Sequence, residues 1–324
     1  MRAYIIQKSE AGQSLEKYVQ KLLVSAPMSF IYKLFRKKDI KVNGHHEDRK
    51  FLLSENDEVS IYIKEEQFID FLKEKAYQPN DKIKNWIIYE DDNVLFINKP
   101  RGLLVQKSVP QDESLDQLVC EYLLAKGEYH PEKDIAFKPG PAHRLDRNTS
   151  GIVVFGKNHQ SLSLLFELFK NHDLINKHYL ALVVGQVEKE KGTIDAPLKK
   201  DEEKNMVYIS KNGKPAKTVY KVIKKYQDYS LLDVTLLTGR THQIRVHLAS
   251  INHPIIGDSK YGNFEVNRLF KQKYGLDSQF LHAYKMGFGD LPKPLETLSR
   301  KEFIAEPNEE IANILTKLDN IEEE

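Results

Sequence analysis

Behind Ser14, the apolar residues Leu15, Tyr18, Val19, Leu22 and Leu23 fall three and four positions apart, which predicts an amphipathic helix with a hydroxyl at its N-cap. Ser29 is placed to cap a second helix that turns Ile31, Leu34 and Phe35 inward and leaves Lys33, Arg36 and Lys37 on other faces. The period then changes to two. Ile40 and Val42 alternate into Asn43-Gly44, the dipeptide best suited to a tight hairpin turn, and a second strand is expected over residues 59–63. Two helices and a small sheet make a compact α+β module, assigned to residues 1–66.

Residues 64–85 are charged and contain Tyr77-Gln78-Pro79-Asn80-Asp81, so 67–85 reads as a linker with room for one short helix. Strands are expected over 86–90 and 94–98, separated by the turn Asp91-Asp92-Asn93. Ser114 is placed to cap a helix with Leu115, Leu118, Val119 and Leu123 on one face, and another helix is expected over 162–169. Further strands are expected over 152–155, 179–184, 217–222 and 231–237, before a closing helix carrying Ile311, Ile314, Leu315 and Leu318. Strand runs interrupted by few helices argue for a mixed α+β region, 86–324, built on a mainly antiparallel sheet.

Length agrees with two domains, because 324 residues exceed the usual size of one core. No apolar run reaches the roughly 18 residues that span a bilayer, and the N-terminus turns polar at Gln7, so no membrane role and a cytoplasmic location are expected. A single cysteine, Cys120, excludes an internal disulfide or a cysteine-based metal cluster. Net charge is only +2, but its distribution is uneven. Lys33, Arg36, Lys37, Lys38, Lys41, Arg49 and Lys50 gather in one short stretch, whereas the chain ends Glu322-Glu323-Glu324. The cationic stretch spans a helix, its exit and the following turn, a distribution suited to phosphate contacts, with a merely solvated helix face as the plainer alternative.

Two polar constellations could carry chemistry. In Pro141-Ala-His-Arg-Leu-Asp-Arg-Asn-Thr-Ser-Gly151, a loop leads directly into an apolar strand, and Asp146 lies between Arg144 and Arg147. Asp146 is the candidate reactive carboxylate; an Asx-turn or a structural ion pair is the alternative reading. In Thr238-Gly-Arg-Thr-His-Gln-Ile-Arg-Val-His-Leu248, a glycine turn opens a helix whose N-terminus carries Arg240, His242 and Arg245. His242 and Arg245 are three apart and expected on one face; if Arg245 reaches Asp146, its charge favours the carboxylate form. His242 and His247 lack the four-residue spacing of a zinc helix, so no metal site is expected. No phosphate-cradling loop or dinucleotide glycine fingerprint occurs, so no nucleotide cofactor is expected either.

Six strings resemble, in order, the motifs of the RluA-type pseudouridine synthases: Asn98-Lys-Pro-Arg-Gly-Leu-Leu-Val105, His143-Arg-Leu-Asp-Arg-Asn-Thr-Ser-Gly151, Lys177-His-Tyr-Leu-Ala181, Leu237-Thr-Gly-Arg-Thr-His-Gln-Ile-Arg245, His253-Pro-Ile-Ile-Gly-Asp258 and Leu281-His-Ala283. The helix-and-sheet order of 1–66, with Lys33, Arg36, Lys37 and Lys38 on its second helix and exit, is similar to a small RNA-binding domain named after a ribosomal small-subunit protein, often found ahead of that family's catalytic domain. The resemblance implies isomerisation of specific uridines to pseudouridine in structured RNA, ribosomal RNA of the large subunit first, with no cofactor. It implies Asp146 as the catalytic aspartate, Arg245 as its ion-pair partner, and Tyr179 as an aromatic residue that packs on the target uracil and could act as a base. It further implies Arg144 as the arginine that replaces the everted nucleotide in the stack and Leu281 as an apolar wall. Arg240 and His242 are expected to contact RNA. For Tyr179 and Leu281 taken singly, plain core packing is the competing reading. The rival functions are a non-catalytic protein that binds or folds ribosomal RNA, an N-glycosidase that releases uracil, and pseudouridylation of transfer RNA instead.

Overall fold

A computed structural model describes residues 1–24, 26–71, 77–109, 111–171 and 173–323; residues 72–76 of the expected linker and Glu324 of the acidic end lie outside the described residues. The chain divides into two compact units, Met1–Leu95 with Glu113–Ala142 and Val154–Glu167, and Phe96–Asp112 with His143–Val153 and Leu168–Glu324. Residues 1–66 lie wholly within the first.

In the first unit, strand β1 (Arg2–Ile5) precedes helices α1 (Leu15–Leu22) and α2 (Met28–Lys37), strands β2 (Ile40–Val42) and β3 (Glu58–Ile61), and helix α3 (Glu65–Phe71). Ser14 caps α1 by accepting the Lys17 N–H, as expected. Ser29 is not the cap: α2 begins two residues earlier than expected, with Pro27 at the cap in extended backbone and no side-chain cap hydrogen bond. Asn43 and Gly44 both take positive φ and close a tight turn through the bridge between Val42 and His45, but the pairing stops at that bridge, and β2 pairs along its length with β3. Asn43 makes this detour stable by donating to Asp57 Oδ1 at 2.8 Å and accepting the Glu58 N–H at 2.8 Å. The small antiparallel sheet runs β1-β3-β2, and β1 is a strand that the sequence pattern does not reveal. Its core holds Ile6, just after β1, together with Leu15, Tyr18, Val19, Leu22, Ile31 and Leu34 from the inward faces of both helices.

A larger sheet begins with the hairpin β4 (Ile87–Glu90) and β5 (Val94–Lys99), and helix α4 (Leu115–Ala125) and strand β6 (Gly140–Pro141) follow. After β7 (Ser150–Gly156), helix α5 (His159–Asn171) and β8 (Ile175–Val184) come the shorter strands β9 (Lys191–Asp195), β10 (Leu198–Asp201) and β11 (Met206–Ile209). The chain finishes with β12 (Lys217–Lys225), β13 (Tyr229–Leu236), helices α6 (Gln243–Ser250) and α7 (Phe264–Tyr274), β14 (Leu281–Phe288), β15 (Glu302–Ile304) and α8 (Glu309–Glu323). In the second unit the strands lie in the order β5-β7-β14-β8-β13-β12-β9, while β10 and β11 form a separate hairpin. The pairings β14–β8, β8–β13, β13–β12 and β12–β9 are antiparallel and β7–β14 is parallel, so the mixed, mainly antiparallel α+β architecture is the one expected. Among the described residues no helix is long and apolar enough to cross a membrane.

Two strands, β7 and β14, set the frame for the polar loop that carries Asp146. Gly151 sits at φ +111°, opposite Ala283, where a Cβ would come within 2.2 Å of the Ala283 carbonyl oxygen. Only glycine permits this approach. The contact is reinforced by Ser150 Oγ, 2.8 Å from His282 Nδ1, and His282 Nε2 lies 2.8 Å from the Ala305 carbonyl.

Candidate active site

The loop entering β7 folds back on itself where the Thr149 N–H donates to the Asp146 carbonyl at 3.1 Å. This leaves the Asp146 side chain directed away from its own turn, where Arg245 Nη1 donates to its Oδ2 at 2.9 Å. Arg245 belongs to α6, whose start is fixed by Gln243: its amide oxygen accepts from Thr238 Oγ1 and the Arg240 N–H, and its nitrogen donates to the Lys217 carbonyl and Thr218 Oγ1. A single buried amide thus joins the turn, the helix and the edge of β12.

The guanidinium of Arg245 is shared. Its Nε and Nη2 donate to both oxygens of Asp258, at 2.6 and 2.9 Å, and Asp258 Oδ1 also accepts the Lys260 and Tyr261 N–H groups. Burial alone would push the Asp258 carboxyl upward, but the hydrogen bonds and charge of Arg245 outweigh it and hold the group below the usual carboxylate range. Arg245 in turn is held well above its ordinary value, since its carboxylate partners overcome the cost of burial. The Asp258 side chain is 0% exposed and that of Asp146 is 30% exposed. A substrate can therefore reach Asp146 but not Asp258, and the second carboxylate serves as the fixed counter-ion of the arginine.

His242 stands close by, with Nε2 at 3.8 Å from Asp146 Oδ2 and Nδ1 at 2.9 Å from the Tyr261 hydroxyl. It does not share a helical face with Arg245: it is the N-cap of α6 in left-handed backbone, φ 52°, and reaches the same carboxylate from outside the helix. Burial lowers its proton affinity; the neighbouring Asp146 charge opposes this and the Arg245 charge adds to it. On the other side Lys99 is fully buried, and its ammonium donates to the carbonyls of Pro100, Leu103 and Arg147 at 2.9, 2.9 and 3.0 Å. It pins the loop after β5 to the residue following Asp146. Burial lowers the Lys99 amine to about 7, with the Asp146 charge acting against that shift.

Tyr179 lies on β8 and is 6% exposed; burial first, and then the Asp146 charge, raise its phenol, so it is protonated in neutral solution. Leu281 on β14 is directly opposite Ala181, two residues along β8 from Tyr179, so the two apolar side chains occupy one face of the sheet as diagonal neighbours. Arg144 and Arg147 are exposed on the loop, Arg147 lying 3.6 Å from Asp112. Arg240 is also exposed, its Nε donating to the Pro215 carbonyl at 3.0 Å. In the first unit Lys33, Arg36, Lys37 and Lys38 are all exposed, with Lys38 ending α2 in left-handed backbone.

The residues brought together around Asp146 are therefore Arg245, His242 and Tyr179, joined by three whose part the sequence does not disclose: Lys99, Asp258 and Tyr261. Lys99 and Asp258 lie within motif strings and Tyr261 three residues beyond one, yet nothing local says that Asp258 would meet an arginine thirteen positions earlier. Among the described residues no three His, Cys, Asp or Glu side chains converge as metal ligands.

A family model described as RNA pseudouridylate synthase matches residues 93–250, which include Asp146, Tyr179 and Arg245. The chain is 34% identical over 324 residues to a protein of Haemophilus ducreyi named ribosomal large subunit pseudouridine synthase C, covering 97% of this chain and 95% of that one. It is 34% identical over 294 residues to the protein of the same name from Escherichia coli, covering 87% of each. A Mycoplasma capricolum protein named as an uncharacterized RNA pseudouridine synthase is 32% identical over 321 residues, covering 95% of this chain and 98% of the other. Among solved structures, that of human RNA pseudouridylate synthase domain containing 4 superimposes with a TM-score of 0.58 at 24% identity, covering 74% of this chain and 95% of that one.

Proposed function

The chain belongs to the RNA pseudouridylate synthase family, isomerases that convert uridine in RNA to pseudouridine, and from that premise we propose that it acts on specific uridines of large-subunit ribosomal RNA with Asp146 as the catalytic carboxylate. The observation that carries the assignment is the shared guanidinium of Arg245: it fixes two carboxylates, of which only Asp146 is open to solvent. The choice of large-subunit RNA is supported by the names of the relatives from Haemophilus ducreyi and Escherichia coli.

The reaction breaks the bond between uracil N1 and the ribose anomeric carbon, turns the base, and joins its C5 to the same carbon; the proton lost from C5 is matched by one gained at N1, with no net change in oxidation. A carboxylate at the sugar can capture or stabilise the electron-poor anomeric centre. Arg245, in contact with Asp146, orients that carboxylate and keeps it from swinging into solvent. Tyr179 and Leu281 form the apolar face against which the detached base is held; retaining it there avoids the entropy cost of recapture. Because burial and the Asp146 charge keep the Tyr179 phenol protonated, its hydroxyl enters as a donor, and service as a base requires a substrate that changes its surroundings. Arg144, exposed two residues before Asp146, is positioned to enter the stack vacated by an everted uridine. Lys33, Arg36, Lys37 and Lys38 of the first unit, with 1–66 acting as an RNA-binding domain and 86–324 as the catalytic region, supply contacts to phosphates, as does Arg240. Work on ribosomal RNA supports a cytoplasmic location.

Mapping pseudouridines by chemical modification and primer extension in ribosomal and transfer RNA, with wild-type protein and with Asp146→Ala, tests this reading. New stops in large-subunit RNA that the variant does not produce are expected. Stops confined to transfer RNA would redirect the substrate, and unchanged maps for both RNAs, or turnover by Asp146→Ala, would overturn the assignment.

A further inference from the structure

Tyr261 touches Asp258, Arg245 and His242 without being one of the residues placed at the substrate. Its N–H donates to Asp258 Oδ1 at 3.1 Å, its ring lies 5.2 Å from the guanidinium carbon of Arg245, and its hydroxyl is 2.9 Å from His242 Nδ1. The same hydroxyl oxygen accepts the Val207 N–H, from β11 of the separate hairpin, at 2.8 Å. This environment fixes the direction of the bond to the histidine. A phenol carries one proton, and its oxygen is already used as an acceptor, so the arrangement that satisfies both groups has the O–H donating to Nδ1. An imidazole that accepts at Nδ1 and is neutral carries its own proton on Nε2. Nε2 is the atom that faces Asp146, 3.8 Å from Oδ2. The opposite tautomer would crowd two N–H donors onto one phenol oxygen and aim the Nε2 lone pair at a carboxylate, which is repulsive.

We propose that Tyr261 is a positioning residue: its hydroxyl, anchored by Val207, holds His242 in the Nε2–H tautomer, so that a neutral hydrogen-bond donor faces the Asp146 carboxylate. The inference rests on the reading of Asp146 as the catalytic group and adds to it a device that sets the proton inventory of the site. A neutral donor can orient Asp146 or meet the oxygen of the detached base without neutralising the carboxylate, as a second cation beside Arg245 would. The ring geometry supports it as well, since His242 and Tyr261 meet edge to face with centroids 5.6 Å apart, leaving His242 little freedom to flip. The link to β11 means that the orientation of His242 depends on where the β10–β11 hairpin sits.

The test is a double-mutant cycle on the full-length protein with transcribed large-subunit RNA, joined to nitrogen-15 NMR of the histidines. Tyr261→Phe keeps the ring and is expected to lower kcat roughly tenfold, the loss of the oriented hydrogen bond to His242, with KM little changed and the melting temperature modestly lowered because the Val207 N–H also loses its acceptor. In a His242→Ala background the same substitution is expected to have no further effect on kcat. The spectrum of the wild-type protein should show an unprotonated Nδ1 and a protonated Nε2 at His242, a pattern lost in Tyr261→Phe. A proton on Nδ1, a kcat unchanged by Tyr261→Phe, or an equal loss with and without His242 would each overturn the inference while leaving Asp146 in place. Turnover by Asp146→Ala would instead remove the reading on which it stands.

Discussion

Asp146 and Asp258 bind the same guanidinium, yet the first keeps 30% of its side chain exposed and the second none. Their replacement by asparagine should therefore have opposite signatures. Asp258→Asn leaves Arg245 buried without its two-point partner and is expected to destabilise the protein by about 3–5 kcal/mol, with Asp146 losing its anchor as a consequence. Asp146→Asn removes a half-exposed partner, so a stability change within about 1 kcal/mol is expected together with loss of turnover. Urea unfolding of both variants, read beside pseudouridine formation, separates the two roles; equal destabilisation would show that exposure does not distinguish them.

Gly151→Ala is expected to disable the site from a distance. A residue with a Cβ at φ +111° is strained by on the order of 1–3 kcal/mol, and the added carbon meets the Ala283 carbonyl at 2.2 Å, so β7 and β14 must part. Destabilisation beyond about 4 kcal/mol and loss of turnover should follow. Gly275→Ala provides the control, because that glycine, at φ +77° after α7, has nothing within 4 Å of its added carbon and should cost only about 1–2 kcal/mol.

Much of this frame can be read from the chain, and the reasons for the gaps are physical. Helices α1, α4 and α8 follow from apolar periodicity that tertiary packing only confirms, and the ion pair between Asp146 and Arg245 is expected from motif positions. By contrast β1 is a four-residue strand whose burial alternates only weakly, and its sheet partner lies over fifty residues away, so no local pattern marks it. The position of His242 outside α6 is equally hidden. Nothing in Thr-Gly-Arg-Thr-His announces a left-handed histidine, because that conformation is imposed by Gln243 tying the turn to β12 and by the Tyr261 hydroxyl. Lys99 and Asp258 belong to the same class: their importance comes from partners that only the folded chain supplies.

Acid should loosen the strand pair that carries the site. His282 is wholly buried between Ser150 and the Ala305 carbonyl, and burial lowers its proton affinity below the ordinary 6.5. The unfolded chain then binds a proton that the folded chain does not, so the stability from this residue is fully present above pH 6.5 and is lost as pH falls from there toward the folded value. Within that window the contribution to the slope reaches about 1.4 kcal/mol per pH unit. Unfolding free energies of wild type and His282→Gln between pH 7 and 5 check this: the variant should show the shallower slope, whatever its baseline stability.

The cations on α2 should act on affinity and not on chemistry. Lys33 and Lys37 are four apart and both exposed, so they share one face of the helix, while Arg36 and Lys38 extend the charge toward its exit. If this face meets phosphates, every lysine–phosphate pair that is abolished lowers the slope of log affinity against log salt by about 0.7 to 0.9. The Lys33→Ala, Lys37→Ala double variant is therefore expected to bind large-subunit RNA more weakly in low salt, with the slope reduced by about 1–2 and the difference from wild type shrinking as salt rises. At saturating RNA its kcat should equal that of wild type, because Asp146, Arg245 and Tyr179 all belong to the second unit and keep their partners there. Filter binding at several salt concentrations together with single-turnover assays reads both quantities. A slope unchanged by the double variant would show that these lysines are simply a solvated helix face, and the RNA contacts would then have to be sought on Arg144, Arg147 and Arg240 of the second unit.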